Sequence, residues 1–347
     1  MTTLKIGAVG TGGIFRHAHG PGWAAAPEAE LVALCDPHLA SAEAMAAEYG
    51  VTKVYADYRE MLEKEQLDAI GICTPNLYHS EIAIAALEKG LHVFCEKPDA
   101  INPLEAQRMA DAAERSGKIL MTMRNNRFMP SSKFLKSFIE SGKMGEIYTG
   151  RTGWVRRRGI PGLGGWFTNK ELAGGGPLID LGVHMIDLAI WLMGNPRPIA
   201  VSGAAYNKLA QAILPSTQSD GGNGFSVEDL ATGFIRFDNG ATLQIEFSWA
   251  SNIEEEHRFL ELRGTSAGCS MRDGELKLFT EIEQVQCDII PRFSSTNESM
   301  HSANIQHFVD CVLGKAEPII KPEFGVDMIK ILSAIYESTQ KGMEIRL

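Results

Sequence analysis

The sequence predicts an α/β chain: an N-terminal doubly wound parallel sheet, then a C-terminal α+β domain with a large, mostly antiparallel open sheet. Three observations predict it. Over the first 124 residues short apolar runs alternate with helical patterns, the rhythm of parallel strands joined by right-handed crossovers. A glycine-rich turn, Gly10-Thr11-Gly12-Gly13-Ile14-Phe15, follows the first of those runs and opens a helix. Beyond Arg124 the alternation gives way to longer strand-like runs and a hairpin signal. A chain of 347 residues also exceeds one ordinary core. The expected domains are therefore 1–124 and 125–347.

In order along the chain, apolar runs at 5–9, 30–35, 69–73, 92–95 and 119–123 read as short buried strands, with helices over 39–49, 59–64, 80–89 and 104–116 between them. In the second domain, 131–141 reads as a helix and 147–157 as a strand running into glycine-rich loops. A helix over 177–193 is closed by Gly194. Asp238-Asn239-Gly240 marks a hairpin between strands at 231–237 and 241–249. The tail returns to helices at 304–313 and 324–340 and ends in a strand-like 343–347. The Ser- and Gly-rich stretch 215–225 reads as a mobile surface loop rather than a linker. There are no internal repeats.

Hydrophobic residues make up 44% and charged residues 22%, the proportions of a globular protein. A formal charge of −10 repels phosphate backbones and acidic headgroups, and Arg156-Arg157-Arg158 is too short a stripe to override it. No nucleic-acid or membrane partner is expected. Six cysteines without paired close spacing suit reduced thiols, with Cys35, Cys73 and Cys95 acting as small core hydrophobes. The N-terminus lacks the long apolar region of a signal peptide, and no run approaches the length of a membrane span. The expected location is the cytoplasm.

Glycines in the 10–13 turn permit a tight bend and close backbone approach to a pyrophosphate, held by amides at the helix start. Phe15 departs from the small residue usual at the third position. The alternative is a glycine turn without ligand. Asp36 ends the second strand where a carboxylate accepts bonds from a ribose diol and repels a 2′-phosphate, so NAD is expected over NADP; the alternative is an N-cap. Thr74-Pro75-Asn76 with His79, and Glu96-Lys97-Pro98, stand at the carboxyl ends of later strands, where an open parallel sheet binds its ligand. In the second domain Gly174-Gly175-Gly176-Pro177 opens a segment with Asp180, His184 and Asp187 at spacings of four and three, one face of an α-helix. A carboxylate and an imidazole together form a proton-handling pair. Zinc ligation is the rival reading of the three, and it lacks a fourth ligand; no metal is expected, and Asp187 is assigned to support.

Jointly these marks identify a resemblance covering essentially the whole chain: it resembles the Gfo/Idh/MocA oxidoreductases. They are the glycine turn, Cys73-Thr74-Pro75-Asn76 with His79, Glu96-Lys97-Pro98, and Gly174-Gly175-Gly176 followed by Asp180, Gly182, His184 and Asp187. Ala334-Ile335-Tyr336-Glu337-Ser338 adds to the match. The resemblance implies a Rossmann domain, a bound nicotinamide cofactor, a sugar or polyol substrate reacting at a secondary carbon, and a dimer or tetramer formed through the second sheet. It implies Lys97, Asp180 and His184 as the catalytic group. Hydride transfer from a carbinol carbon needs a base for the hydroxyl proton, a task suited to His184; Lys97 is expected to hydrogen-bond the reacting oxygen and Asp180 to orient substrate or imidazole.

The expected cofactor contacts are Gly10, Gly12, Gly13, Ile14, Asp36, Thr74, Pro75, Asn76, His79, Glu96 and Lys97. Expected substrate contacts are Lys97, Asn126, Arg127, Trp166, Asp180 and His184, with an interdomain salt bridge as the alternative for Arg127 and a core plug for Trp166. Arg156 to Arg158 and Tyr148 stay undecided between substrate contact and solvated surface. The overall expectation is an NAD-dependent sugar or polyol dehydrogenase. Its alternatives are a glycoside-cleaving enzyme that recycles NAD through a transient keto sugar, and a non-catalytic NAD-binding regulator.

Overall fold

In the structure, a computed structural model, residues 3–162, 165–213, 225–294 and 299–347 are described. The chain forms two compact units, Met1–Asn125 with Thr296–Val326, and Asn126–Ser295 with Asp327–Leu347.

The first unit is built on six strands: β1 (Leu4–Val9), β2 (Ala29–Cys35), β3 (Lys53–Tyr55), β4 (Ala69–Ile72), β5 (His92–Cys95) and β6 (Leu120–Thr122). They lie in the order β3-β2-β1-β4-β5-β6, and every pairing is parallel. Ile6, Ala8, Leu34, Ile70, Ile72, Val93 and Phe94 are fully buried, the unbroken apolar content of strands covered on both faces. β3 went unread in the sequence because three residues with an exposed lysine carry no apolar run. The helix Pro103–Ser116 shows how local chemistry sets its ends: Asn102 Oδ1 accepts from the Glu105 amide at 3.0 Å, Pro103 opens the first turn, and Gly117 closes it with φ of +64°.

The segment 296–326, expected in the second domain, belongs to this first unit. The reason lies in its helix Met300–Val312, whose Phe308 meets Trp23 at 6.0 Å and Phe94 at 5.3 Å between ring centroids, all three rings in the core. From the same helix Asn304 Oδ1 accepts from the Arg124 amide.

The second unit carries nine strands: β7 (Ile147–Val155), β8 (Pro198–Tyr206), β9 (Leu230–Phe237), β10 (Thr242–Ser248), β11 (His257–Gly264), β12 (Ala267–Arg272), β13 (Glu275–Ile282), β14 (Val285–Ile289) and β15 (Ile345–Arg346). Their order is β14-β13-β12-β11-β7-β10-β9-β8-β15, with β7 and β10 parallel and all other pairs antiparallel. The β9–β10 hairpin turns at Asp238-Asn239-Gly240 as expected, with Thr242 opposite Arg236 and Gly240 at φ +86°. Across β7 and β10 lies a helical rod, Leu178–Gly182 continuing into Val183–Leu192.

Among the described residues one helical stretch, Lys170–Leu192, has the length and hydropathy of a membrane span, contrary to the expectation that no run approaches it. Its most apolar window is 78% buried, the mark of a core helix. The expected loop 215–225 lies, Phe225 apart, outside the described residues.

Candidate active site

In the first unit the glycine turn leaves β1 at its carboxyl end. Gly10 has φ of +90°, and a Cβ there would stand 2.6 Å from the Cys73 carbonyl carbon and 2.8 Å from the Thr74 amide nitrogen. Only glycine lets β1 and β4 approach this closely. A Cβ on Gly12 or Gly13 would meet nothing within 4 Å, so open space lies over both peptides. The helix that follows begins as a π-helical turn, Phe15–His19. Phe15, the departure from the usual small residue, is fully buried and packs edge-on against Tyr49 at 6.1 Å. A wider turn makes room for a ring where an α-helical turn calls for a small residue.

Asp36 stands at the end of β2. Its Oδ2 accepts from the Thr11 amide at 2.8 Å and the Thr11 hydroxyl at 3.1 Å, and its Oδ1 from the His38 amide at 2.9 Å. The carboxylate thus ties the glycine turn to the second strand, and with two lone pairs per oxygen Oδ1 retains acceptor capacity toward a diol. Thr74 Oγ1 is buried with no hydrogen-bond partner among the described residues, a polar atom at a strand end that a bound group would satisfy. With the space over Gly12 and Gly13, it makes the residues present a fit for a dinucleotide.

Two expected cofactor contacts carry hydrogen bonds within the protein. His79 is fully buried with its ring nitrogens 2.8 Å from the Pro98 carbonyl and 2.9 Å from the Thr74 carbonyl, so it braces two strand-end loops. Burial holds its pKa below the usual histidine value against the pull of both carbonyls. Glu96 is buried with Oε1 2.6 Å from His19 Nε2 and Oε2 accepting from the Lys97 amide at 3.0 Å. Burial pushes its carboxyl up, but the hydrogen bond and charge of His19 prevail and hold it at about 2. Glu96 therefore anchors the backbone from which half-buried Lys97 projects. Sequence reasoning missed His19; a histidine in the first turns after a glycine loop carries no signal of its partner 77 residues on.

In the second unit Asp180 and His184 share the rod over β7 and β10, both half-buried. Asp180 Oδ2 accepts from the Trp249 indole N–H at 3.0 Å, and the His184 ring lies 6.5 Å from that of Trp154. Trp154 itself has the Arg156 guanidinium at 4.8 Å and that of Arg258 at 5.3 Å from its ring centroid. Asn126 Nδ2 donates to the His184 carbonyl at 3.4 Å, so it touches the rod's backbone. Trp166 stacks on Phe167 with centroids 3.9 Å apart and stays partly exposed.

Asp180 stands on the π-helical turn Leu178–Gly182, and His184 and Asp187 stand on the α-helix Val183–Leu192 that continues it; Asp187 differs from the other two in being fully committed to the interior. Asp187 is buried and takes Arg127 bidentately, Nε at 2.8 Å and Nη2 at 2.7 Å. Arg127, expected at the substrate, is 1% exposed and lies 5.5 Å from the Trp191 ring centroid, so it belongs to the interior of the unit. Among the described residues no group of three His, Cys, Asp or Glu side chains stands where it would hold a metal.

An oxidoreductase is the class this fold and these residues define. Residues 4–123 match the Gfo/Idh/MocA oxidoreductase family with its NAD-binding Rossmann fold, and residues 133–269 match the Gfo/Idh/MocA C-terminal domain. The chain is 34% identical over 351 aligned positions to D-glucoside 3-dehydrogenase of Escherichia coli K12, covering 99% of this chain and 97% of that protein. It is 32% identical to levoglucosan dehydrogenase of Pseudarthrobacter phenanthrenivorans over 76% of this chain and 72% of that one. A solved structure of levoglucosan dehydrogenase in complex with NADH superposes with a TM-score of 0.88 at 24% identity, covering 99% of each chain. The protein belongs to the Gfo/Idh/MocA family of oxidoreductases.

Proposed function

We propose that the protein is an NAD-dependent dehydrogenase that oxidises a secondary hydroxyl of a sugar, sugar derivative or polyol, with glucosides as the first class to test. Support comes from the full-length similarity to a D-glucoside 3-dehydrogenase together with one observation on the rod: the Trp249 indole fixes Asp180 one turn before His184. NAD, when bound, accepts the hydride. Gly10, Gly12 and Gly13 are assigned to its diphosphate, Asp36 to its ribose, and Ile14, Thr74, Pro75 and Asn76 to its remaining contacts.

His184 takes the hydroxyl proton as the carbonyl forms, and the Lys97 ammonium donates to the reacting oxygen, lowering the cost of its developing negative charge. Asp180, held by Trp249, orients the substrate hydroxyl or the imidazole. Trp166 and Asn126 are assigned to the substrate side. His79 and Glu96 are assigned to holding backbone, and Arg127 to its interior pair with Asp187. A homodimer or homotetramer through the nine-stranded sheet is supported by Tyr148, Phe279, Ile282 and Val285, large apolar side chains exposed on its strands. A cytoplasmic location is supported by six cysteines, all free.

The test is NADH absorbance on incubating the protein and NAD⁺ with methyl glucosides, levoglucosan, inositols and aldoses. NADH formation on one class, abolished in His184→Ala, is the expected result. Release of an aglycone from an aryl glucoside without NADH accumulation assigns the recycled-cofactor reaction instead. Binding of NAD⁺ with no turnover of any compound removes the dehydrogenase.

A further inference from the structure

We infer that Glu228 and Tyr336 form a positioning clamp for the rod, setting where Asp180 and His184 stand. The inference rests on the assignment of those two residues as the proton-handling pair. Nothing in the sequence singles out Glu228, and Tyr336 belongs to the Ala334–Ser338 match to which no role has yet fallen.

Every backbone amide at the start of the rod has an identified partner. Pro177 has no N–H. Ile179 and Asp180 donate to the Gly176 carbonyl at 3.0 and 2.9 Å. Gly176 donates to Glu228 Oε2 at 2.9 Å, and Leu178 to Glu228 Oε1 at 3.0 Å. The Tyr336 hydroxyl completes the arrangement, donating to Oε1 at 2.9 Å. Three donors thus converge on one carboxylate that is 7% exposed. They bring a negative charge to a helical N-terminus, where the partial positive charge of the amides favours it. A neutral amide side chain cannot reproduce this, because its NH₂ would face a donor.

The triple glycine gains a reason from the same contacts. A Cβ on Gly175 would lie 1.9 Å from the Tyr336 hydroxyl oxygen, and one on Gly176 would lie 2.2 Å from the Glu228 carbonyl. These glycines serve close approach to the clamp. The residue after Glu228 carries the argument to Asp180: the Asp229 carbonyl accepts from the Trp249 amide at 3.0 Å, and the Trp249 indole donates to Asp180 Oδ2 at 3.0 Å. One two-residue step of chain therefore registers both the rod's first amides and the side chain two positions further along it.

The experiment compares Glu228→Gln, Tyr336→Phe and His184→Ala in the full chain. Turnover of methyl β-D-glucopyranoside with NAD⁺ is followed by NADH absorbance, NAD⁺ affinity by quenching of intrinsic fluorescence, and amide protection at 176–180 by hydrogen exchange. Glu228→Gln is expected to lower kcat by about 10²-fold, the cost of misplacing a catalytic group by about 1 Å, with NAD⁺ affinity unchanged. Tyr336→Phe, which removes one donor of three, is expected to lower kcat by less and to speed exchange at Gly176 and Leu178. If His184→Ala abolishes turnover while both clamp variants keep wild-type kcat and KM, the clamp is refuted and the dehydrogenase assignment stands. If His184→Ala turns over like the wild type, the catalytic assignment falls and the clamp with it. A lowered Tm with unchanged kcat and KM assigns the pair to stability alone and also refutes the clamp. Should Glu228→Gln fail to fold, Tyr336→Phe decides by the same criteria.

Discussion

Replacing Arg127 by Ala strips Asp187 of both its guanidinium donors while leaving the carboxylate in the interior. The pair is bidentate at 2.8 and 2.7 Å, and its side chains are 1% and 5% exposed. The expected cost is about 3–5 kcal/mol, the range for breaking a buried ion pair by removing one partner. At about 2–4 °C per kcal/mol for a unit of this size, Tm should fall by about 6–20 °C. The double variant Arg127→Met/Asp187→Leu removes both charges and keeps bulk beside Trp191, so it should recover most of the loss. Thermal and urea unfolding of the wild type, Arg127→Met, Asp187→Leu and the double variant form a cycle that isolates the coupling. The folded double variant should still produce NADH, because neither group touches the reacting atoms. A single-variant cost below about 1 kcal/mol, the value of an exposed pair, or additive costs in the double variant, would refute the reasoning.

Three further outcomes are expected. His92 Nδ1 accepts from the Ile119 amide at 3.1 Å, which requires an unprotonated nitrogen, and burial lowers its pKa to about 4. A depressed folded pKa contributes stability above the unfolded value of 6.5 that is lost as pH falls toward about 4, so the urea midpoint should drop more steeply across that window in the wild type than in His92→Gln; parallel slopes would contradict it. Asp36→Ala should weaken NAD⁺ binding about 10- to 100-fold by isothermal titration, the worth of hydrogen bonds to a charged acceptor, and narrow the preference over NADP⁺; unchanged affinity would remove Asp36 from the ribose. Gly10→Ala forces a Cβ to within 2.6 Å of the Cys73 backbone at φ +90°, so it should cost at least about 1–3 kcal/mol in urea unfolding and abolish NAD⁺ binding; a stable, NAD-binding variant would show that β1 and β4 part easily.

The parts of the molecule legible in the sequence are those governed by neighbours along the chain. Five of the first sheet's strands announce themselves as continuous apolar runs because both faces are covered, and the Asp238-Asn239-Gly240 hairpin because Gly240 takes a left-handed conformation. β3 carries no such signal. The helix Met300–Val312 was legible as a helix but not as a part of the first unit, since nothing local to Phe308 points to Trp23 and Phe94.

The sequence by itself determined the α/β and α+β succession, the glycine turn with Asp36 at the next strand end, and the family to which those marks belong. These rest on residue periodicity and on backbone conformations that a few residue types favour. Only the tertiary structure decided which polar groups are committed to the interior. Asp187 pairs with Arg127 from 60 residues away, Glu96 with His19 from 77, and Glu228 serves amides 50 and 52 residues before it. The physical reason is that a buried donor or acceptor must be satisfied, and the partner that satisfies it is chosen by proximity in space, which spacing along the chain does not encode.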